Sequence, residues 1–340
     1  MKNSVKQHAS ALTAVLACLA LALVLYHSLA GGTLLQSSPY NSYALQAENW
    51  LAGRNNIANG ENYTWLELAI YQGRYYQSFP PVPAVLMLPF VAAAGEWSAI
   101  PGNLIAMGLA LLCAGGVYAC CMRGGMQPVT CAFFTLFVSM GSNVFWMSTS
   151  DGVWFLAQVC ALGFAFWGLF FAQGGNAVQD AAASLCMALA VGCRPFYALL
   201  LACWLGWQFY QRRSLKRILP ALLPAVVMAA CMMAYNFARF GSVTEFGHNY
   251  LPEFVRAENG QFSLTYLVPN LLQLLRPVTL DAQGQLHFEI YNGFLFFAAN
   301  RFSCWRWYAD CCCACPGTRR KCRSVFHCHQ RGGLLRRCAC

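Results

Sequence analysis

The chain has 340 residues, of which 58% are hydrophobic and only 10% charged. An ordinary soluble domain carries roughly 25% charged residues, so water is not the main solvent of this chain. Apolar runs close to the ~20 residues that cross a bilayer core recur along it, and a spanning segment must satisfy its own backbone hydrogen bonds. The composition excludes a soluble enzyme or binding domain and predicts an all-α, polytopic transmembrane helical protein.

The net charge of +10 is concentrated at the carboxyl end. Residues 1–300 hold 13 Lys and Arg against 11 Asp and Glu, whereas residues 301–340 hold 9 against 1. Nine of the 19 cysteines also lie in the last 40 residues. The excess positive charge therefore belongs to a tail, and the rest of the chain lacks the basic patches of a nucleic-acid-binding protein. We expect the lipid bilayer, and not nucleic acid, to be its partner.

The first apolar run, Ala11–Ala30, follows a short stretch that contains Lys2 and Lys6. Cytoplasmic flanks of membrane helices are enriched in Lys and Arg, so this run is predicted to start in the cytoplasm and to be retained as a helix. Residues 31–81 then form a long first external loop. Within it, residues 43–53 have the pattern of a short amphipathic helix that ends at a glycine.

Seven further apolar runs follow the first loop. The segment Gln211–Arg217 should be cytoplasmic because it carries four cations in seven residues. In the topology that we favour, Val82–Ala94 lies at the membrane surface, Arg123 is inside and Asp151 is outside. The alternative makes Val82–Ala94 a span and fuses residues 181–210 into one helix. The seven runs are Val82–Ala94, Ile100–Met122, Val129–Met147, Val153–Gln173, Ala181–Cys193, Phe196–Tyr210 and Ile218–Tyr235.

Residues 236–285 are predicted to form a later external loop, and the run Ile290–Ala299 after it is too short to span. The composition then changes abruptly to a tail rich in Cys and Arg. Translation in a shifted reading frame accounts best for this change, so we expect residues 301–340 not to be a folded domain. A zinc site is the alternative, because Cys312 and Cys315 have CxxC spacing.

No phosphate-binding glycine loop, zinc-protease helix or hydrolase elbow is present in the sequence. The chemically useful side chains are acids in the predicted outer loops, namely Glu48, Glu61, Glu67 and Asp151. A transferase that moves a sugar needs a carboxylate to take a proton from the acceptor, and cations or a metal to balance a phosphate leaving group. Each acid taken alone is more simply a solvated surface carboxylate, so these residues by themselves leave the function open.

Two segments resemble the GT-C superfamily of membrane glycosyltransferases, which includes protein O-mannosyltransferases and the lipid A aminoarabinose transferase. The first segment is LELAIYQGRYYQSFPPVPA at residues 66–84, where aromatic residues precede a Pro-Pro pair that leads back to the membrane, after AENWLAG at 47–53. The second is YN at 235–236, with RFGS at 239–242 and EFGH at 245–248. The resemblance covers about residues 10–300 and implies a GT-C-like amino-terminal module.

In that superfamily the donor is a sugar on a polyprenyl phosphate, the site faces away from the cytoplasm, and an acid early in the first loop is the usual catalytic residue. No acid stands at the matching position, near residues 40–42. The resemblance therefore implies Glu48 as the leading catalytic residue, with Asp151 and Glu67 as further candidates. It also implies contacts to the carrier and its phosphate, which we assign to Arg74, Tyr75, Tyr76 and Arg194.

These observations predict a multi-pass glycosyltransferase of the bacterial inner membrane that transfers a sugar from a polyprenyl-phosphate carrier to an acceptor on the outer face. A product cut short after residue 300 would be inactive if it lacks later helices that the reaction needs. Dependence on a divalent cation is left open, and no metal ligands are assigned. The alternative is a transporter or flippase-like protein, although transporters place their charged sites near the bilayer midplane. Arg194 is also open to a second interpretation, as a helix-end cation that reaches the lipid headgroups.

Overall fold

The structure is a computed structural model, and helices make up most of the residues that it describes, as predicted. The chain forms two compact units, Met1–Gln261 and Phe262–Cys340, and each is described by itself. The run Ile290–Ala299 and the tail of residues 301–340 lie outside the described residues, so the expectations for them stay predictions. The described residues are 2–255, 258–259, 263–275, 279–280 and 283–287.

The first unit contains eleven helices of four or more residues and one β-hairpin among its described residues. Four helical segments, Ser4–Leu29, Gly102–Arg123, Val153–Ala172 and Ile218–Phe240, are long and apolar enough to cross a membrane. The elements are α1 (Lys2–Leu29), α2 (Ser42–Leu51), β1 (Leu68–Tyr71), β2 (Arg74–Gln77), α3 (Val82–Ala94), α4 (Gly102–Arg123), α5 (Pro128–Met140), α6 (Val144–Met147), α7 (Val153–Ala172), α8 (Ala177–Val191), α9 (Ala198–Arg212), α10 (Leu215–Phe240) and α11 (Pro252–Val255).

The second unit is described in part. Its residues 264–266 form a 3₁₀ turn that leads into α12 (Leu267–Leu274). A short antiparallel pair follows, β3 (Thr279–Leu280) with β4 (Leu286–His287).

In the first unit, the ends of the helices lie close together at two places. We call the place that contains Arg212 and Arg213 the basic end. At the basic end, Arg212 Nη2 lies 2.5 Å from Asp180 Oδ2, which joins the end of α9 to the start of α8. Arg123 Nη2, at the end of α4, donates to Gln179 Oε1 on α8 at 3.1 Å. Each of these polar side chains is paired with a residue at the terminus of another helix. This pairing explains how polar side chains are accommodated beside apolar helices.

At the other end, here called the loop end, the first loop meets later helices. The Ser37 hydroxyl donates to Asp151 Oδ2 at 2.6 Å, just before α7 begins. Arg239 Nη1, in the last turn of α10, donates to the Gln77 carbonyl at 2.6 Å. Since the 26-residue helix α10 is about 39 Å long, the loop end and the basic end lie on opposite sides of the bundle.

Helix α3 begins and ends near the loop end. The Val82 amide donates to the Gly192 carbonyl at 3.1 Å, and the Trp97 amide after α3 donates to Glu48 Oε1 of α2 at 3.2 Å. The chain then enters α4 at Gly102, which touches Asp151. This path does not cross the bundle, and the position of Val82–Ala94 relative to a membrane stays a prediction.

One apolar region is divided as the favoured topology predicts, and one predicted run is divided where no break is predicted. Residues 181–210 do not form the single helix of the alternative topology, because α8 ends at Val191 and a 3₁₀ turn, Pro195–Tyr197, precedes α9. The predicted run Val129–Met147 is also broken, since α5 ends at Met140 and α6 is one short turn. Proline cannot donate the backbone hydrogen bond of a continuous helix, which explains the first break.

Exposed positions at the two ends allow the topology to be tested. Asn55 lies in the first loop and Arg213 follows α9, and both side chains are exposed. In a background cleared of native cysteines, we expect a membrane-impermeant maleimide added to intact cells to label Asn55→Cys and to spare Arg213→Cys. Permeabilised cells serve as the control, because both positions should then react. Labelling of Arg213→Cys alone in intact cells would reverse the predicted orientation.

Candidate functional site

Asp151 is fully buried and holds the start of the first loop. Its Oδ2 accepts from the Ser37 hydroxyl at 2.6 Å and from Asn41 Nδ2 at 2.7 Å, and its Oδ1 accepts from the Ser38 amide at 2.7 Å. Its own amide donates to Asn103 Oδ1 at 3.2 Å. The carboxylate that the resemblance made a catalytic candidate is therefore surrounded by donors from its own chain.

The surroundings of Asp151 are also sterically closed. A Cβ added to Gly102 would lie 1.7 Å from Asp151 Oδ2, so only glycine fits beside the carboxylate. Burial raises the pKa of Asp151 above its ordinary value, and the hydrogen bonds from Ser37, Ser38 and Asn41 oppose that shift in part. Asp151 therefore acts as an anchor that fixes the conformation at the start of the first loop.

Glu48 lies on α2, as the sequence predicts, but this helix does not lie free in the membrane interface. Seven of its ten residues are buried, and Asn41 caps its first turn by accepting from the Ala44 amide at 3.0 Å. Glu48 is half-buried, and its Oε1 accepts from the Trp97 amide at 3.2 Å. Helix α2 is thus part of the core of the loop end, packed along α3.

Glu67 lies directly before β1 and reaches the start of α7. Its Oε2 accepts from Trp154 Nε1 at 3.2 Å, and its carbonyl accepts from the Ser78 hydroxyl at 2.8 Å. The Trp154 carbonyl in turn accepts from Arg194 Nη2 at 2.8 Å. The structure therefore brings Glu67 and Arg194 to the same tryptophan, which it does not do for Glu48.

The three candidates on β2 point in different directions. Arg74 is exposed beside the hairpin turn. Tyr75 is half-buried and packs over Gly60, whereas Tyr76 is buried against Phe240 of α10 at a ring distance of 5.2 Å. Successive strand residues face opposite sides, so these three residues do not form one surface.

Arg194 lies in the break between α8 and α9. Besides its bond to the Trp154 carbonyl, its guanidinium stands 5.7 Å from the centre of the Phe79 ring. Tyr43 of α2 packs against the same ring at 6.4 Å. Among the described residues, no carboxylate lies within 4.0 Å of the Arg194 guanidinium, and its Nε has no hydrogen-bond partner.

A second arginine, Arg239 of α10, reaches the segment at the end of β2 that contains Gln77 and Phe79. It is 5% exposed, and its Nη1 donates to the Gln77 carbonyl while its Nη2 donates to Asn236 Oδ1 at 3.0 Å. Its guanidinium lies 4.0 Å from the centre of the Tyr235 ring. Gln77 and Phe79 are two residues apart, so both arginines border the end of β2. Among the described residues, Arg239 has no carboxylate within 4.0 Å either.

Neutral polar groups around these arginines also lack partners. Gln46 and Tyr43 lie one turn apart on α2 and are completely buried, yet neither the Gln46 amide nor the Tyr43 hydroxyl has a hydrogen-bond partner among the described residues. Burial raises the pKa of Tyr43 well above its ordinary value, and nearby Arg194 opposes that shift. Buried polar atoms are nearly always paired, so a concentration of unpaired ones points to a missing ligand or water.

We call this set of side chains the polar cluster; its members are Tyr43, Gln46, Gln77, Arg194, Tyr235 and Arg239. Unpaired atoms occur in each of them: the Tyr43 and Tyr235 hydroxyls, the Gln46 amide, Gln77 Oε1, and Nε of both arginines. The Gln77 side chain is held in place, since its Nε2 donates to the Ser42 hydroxyl at 2.8 Å.

An apolar cavity of about 690 Å³ is lined in part by α10, which also carries Tyr235 and Arg239 of the polar cluster. It is formed by α3, α7, α8 and α10, and its described lining carries only apolar and sulfur-bearing side chains. Leu189 of the lining precedes Arg194 by five residues, and Met232 precedes Tyr235 by three. The lining also includes Pro81 and Val82, just after the segment that both arginines border.

Sequence reasoning found Arg194 but missed the other five members of the polar cluster. Arg239 lies within the RFGS segment of the resemblance and was not selected as a phosphate ligand. Tyr43 and Gln46 share one face of α2 at helical spacing, and a tyrosine with a glutamine on the buried face of an amphipathic helix was the available signal.

The described residues contain no group of three or more His, Cys, Asp or Glu side chains that could hold a metal ion. A divalent cation stays a prediction without assigned ligands. No family model matches the chain, and no curated protein and no solved structure is significantly similar to it.

Proposed function

We propose that this chain is a membrane glycosyltransferase that moves a sugar from a polyprenyl-phosphate carrier to an acceptor hydroxyl at the extracytoplasmic face. One observation carries the proposal: the polar cluster holds two arginines that have no carboxylate within 4.0 Å among the described residues, and α10, which bears part of this cluster, also lines an apolar cavity. A ligand with a long apolar chain and an anionic head would place its chain in the cavity and its head at the two arginines.

The energetics favour an anion at the polar cluster. Arg239 is buried and Arg194 half-buried, and neither has a carboxylate within 4.0 Å among the described residues, although Glu245 acts on Arg239 from farther away. A desolvated cation is costly unless it is paired, and each unpaired buried donor adds its own desolvation cost. Phosphate would meet this need because guanidinium groups bind it through directed, charge-assisted hydrogen bonds. The tyrosine hydroxyls and the Gln46 amide supply neutral donors beside the arginines.

The transfer step follows from these groups. The acceptor hydroxyl oxygen forms a bond to the anomeric carbon of the donor sugar while the bond from that carbon to the phosphate oxygen breaks. The electron pair of the broken bond stays on the phosphate, whose added charge Arg194 and Arg239 stabilise. The acceptor proton goes to a carboxylate, and Glu67 is our choice among the three acids.

Glu67 suits the role of general base better than Glu48 or Asp151. Glu67 and Arg194 both contact Trp154, Glu67 at the indole and Arg194 at the backbone carbonyl, and Glu67 is among the residues that line an open cavity of the first loop. Asp151 is enclosed by its own donors, and Glu48 faces the backbone after α3. A base must come within hydrogen-bond reach of the proton that it removes, so access decides between these carboxylates.

The lipid-phosphate part can be tested with farnesyl phosphate as a short carrier. We expect it to raise the unfolding temperature of the purified chain in nanodiscs, and farnesol or inorganic phosphate to do so much less, because a ligand that binds only the folded state stabilises it. Arg194→Gln should weaken farnesyl phosphate binding at least tenfold. The matched control is Arg213→Gln, an exposed arginine at the basic end that should bind as the wild type does.

Two results would count against this proposal. Equal affinity of the wild type and Arg194→Gln for farnesyl phosphate would remove the polar cluster from carrier binding. Movement of an intact carrier-linked sugar across reconstituted vesicles, with no transfer to any acceptor, would support the transporter or flippase-like alternative.

A further inference from the structure

A second cavity, of about 460 Å³, lies in the first loop between the hairpin β1–β2 and the segment before it. It is separate in its lining from the apolar cavity, and it differs in chemistry. The residues that line it include three aromatic residues, two acids and a threonine, namely Tyr63, Trp65, Tyr75, Glu61, Glu67 and Thr64, beside apolar residues of β1 and Pro252 of α11. Cavities of this size hold small ligands or one to two sugar units.

The aromatic walls are held in place before any ligand binds. Trp65 Nε1 donates to the Pro39 carbonyl at 3.0 Å, although the side chain is 47% exposed. Tyr75 packs so closely over Gly60 that a Cβ there would lie 2.2 Å from its Cγ. Tyr63 makes an edge contact with Trp65 at 5.8 Å. Fixed rings reduce the ordering cost of binding, which is a property of prepared sites.

The charge of the lining limits the ligand. Among the described residues, the lining contains two carboxylates and no cationic side chain, so an anionic ligand would be repelled. A purely apolar ligand would cover the carboxylates without offering them donors, at a desolvation cost. A ligand with several hydroxyl donors and one apolar ring face satisfies both sides, because carboxylates accept hydrogen bonds and aromatic rings cover C–H surface.

We propose that this cavity binds a neutral pyranose and is the acceptor subsite of the transferase. The pyranose ring lies against Trp65 and Tyr75, and its hydroxyls donate to Glu61 and Glu67. The acceptor role rests on the proposed function, whereas the binding of a neutral sugar does not. Glu67 connects the two proposals, since it is among the residues that line this cavity and its carboxylate accepts from the Trp154 indole, while the Trp154 carbonyl accepts from Arg194.

The test uses the full chain in nanodiscs and a panel of methyl glycopyranosides, observed by saturation-transfer NMR. We expect at least one neutral glycoside to show saturable binding, with the strongest transfer to protons of one ring face. Trp65→Ala should weaken that binding at least tenfold, and Glu61→Gln should weaken it several-fold because the amide keeps the shape but loses the charge. Glu96→Gln, an exposed acid outside the lining, is the control and should bind normally.

The result can be separated from that of the proposed function. Sugar binding that depends on Trp65 and Glu61 supports the subsite even if no transfer is ever detected, and farnesyl phosphate binding at Arg194 is measured independently. Binding of simple amines without glycosides would show an ammonium site and overturn the inference. Glycoside binding that Trp65→Ala and Glu61→Gln leave unchanged would also overturn it, provided that both variants unfold at the wild-type temperature.

Discussion

Glu67→Gln should lower the rate of sugar transfer by about 10²–10⁴-fold, which is the usual loss when a general base is removed. The amide keeps the size of the side chain, and its oxygen can still accept from Trp154 Nε1, so the first loop should keep its fold. The rate is measured as transfer of labelled sugar from a panel of polyprenyl-phosphate sugars into membrane acceptors. Farnesyl phosphate binding should be almost unchanged, since Glu67 contacts Trp154 and not the phosphate.

The comparison with Glu48→Gln makes this prediction specific. The glutamine oxygen can still accept from the Trp97 amide, so we expect this variant to lose less than tenfold in transfer rate. A large loss in Glu48→Gln with normal rates in Glu67→Gln would return the base to the residue that the resemblance implies. Normal rates in both variants would remove a first-loop carboxylate from the mechanism.

Hydropathy was sufficient to predict the membrane helices, because spans depend on composition and length. The four helices that are long and apolar enough to cross a membrane coincide with apolar runs of the sequence, and the surface position of Val82–Ala94 stays a prediction. Short-range signals also located α2 within one or two residues at its start. The hairpin was not predicted, although aromatic residues flank a Gln-Gly pair at which both φ angles are positive, as a tight hairpin turn requires.

The polar cluster could not be predicted in the same way, because it is made by contacts between distant parts of the chain. Arg239 meets Gln77 from 162 positions away, and Asp151 meets Asn41 from 110. Nothing local in the sequence distinguishes an arginine that turns inward at a helix end from one that reaches the headgroups. The same uncertainty explains why Arg74 was selected for phosphate while the more buried Arg239 was not.

Asp151→Ala should cost about 3 kcal/mol or more of folding free energy, because it leaves three buried or half-buried donors without their charged acceptor. The loss should be local at first, since these donors at Ser37, Ser38 and Asn41 begin the first loop. We expect faster tryptic cleavage at exposed Arg54 and a lower unfolding temperature in detergent. Glu96→Ala is the matched control, since Glu96 is exposed and should change neither measurement.

The pH dependence of this anchor has a defined sign. Burial raises the pKa of Asp151 above its ordinary value of 3.8, so the folded chain holds this proton to a higher pH than the unfolded chain does. Ionisation of Asp151 therefore lowers stability as pH rises from about 3.8 through the raised pKa, and the cost is complete above it. In Asp151→Asn, the amide nitrogen faces either the donors of Ser37 and Asn41 or the Ser38 amide, and both orientations destabilise the fold at every pH. The stability advantage of the wild type over Asp151→Asn should accordingly shrink as pH rises through this window, and chemical denaturation at a series of pH values measures it. An advantage that grows with pH would mean that the hydrogen bonds outweigh burial at Asp151.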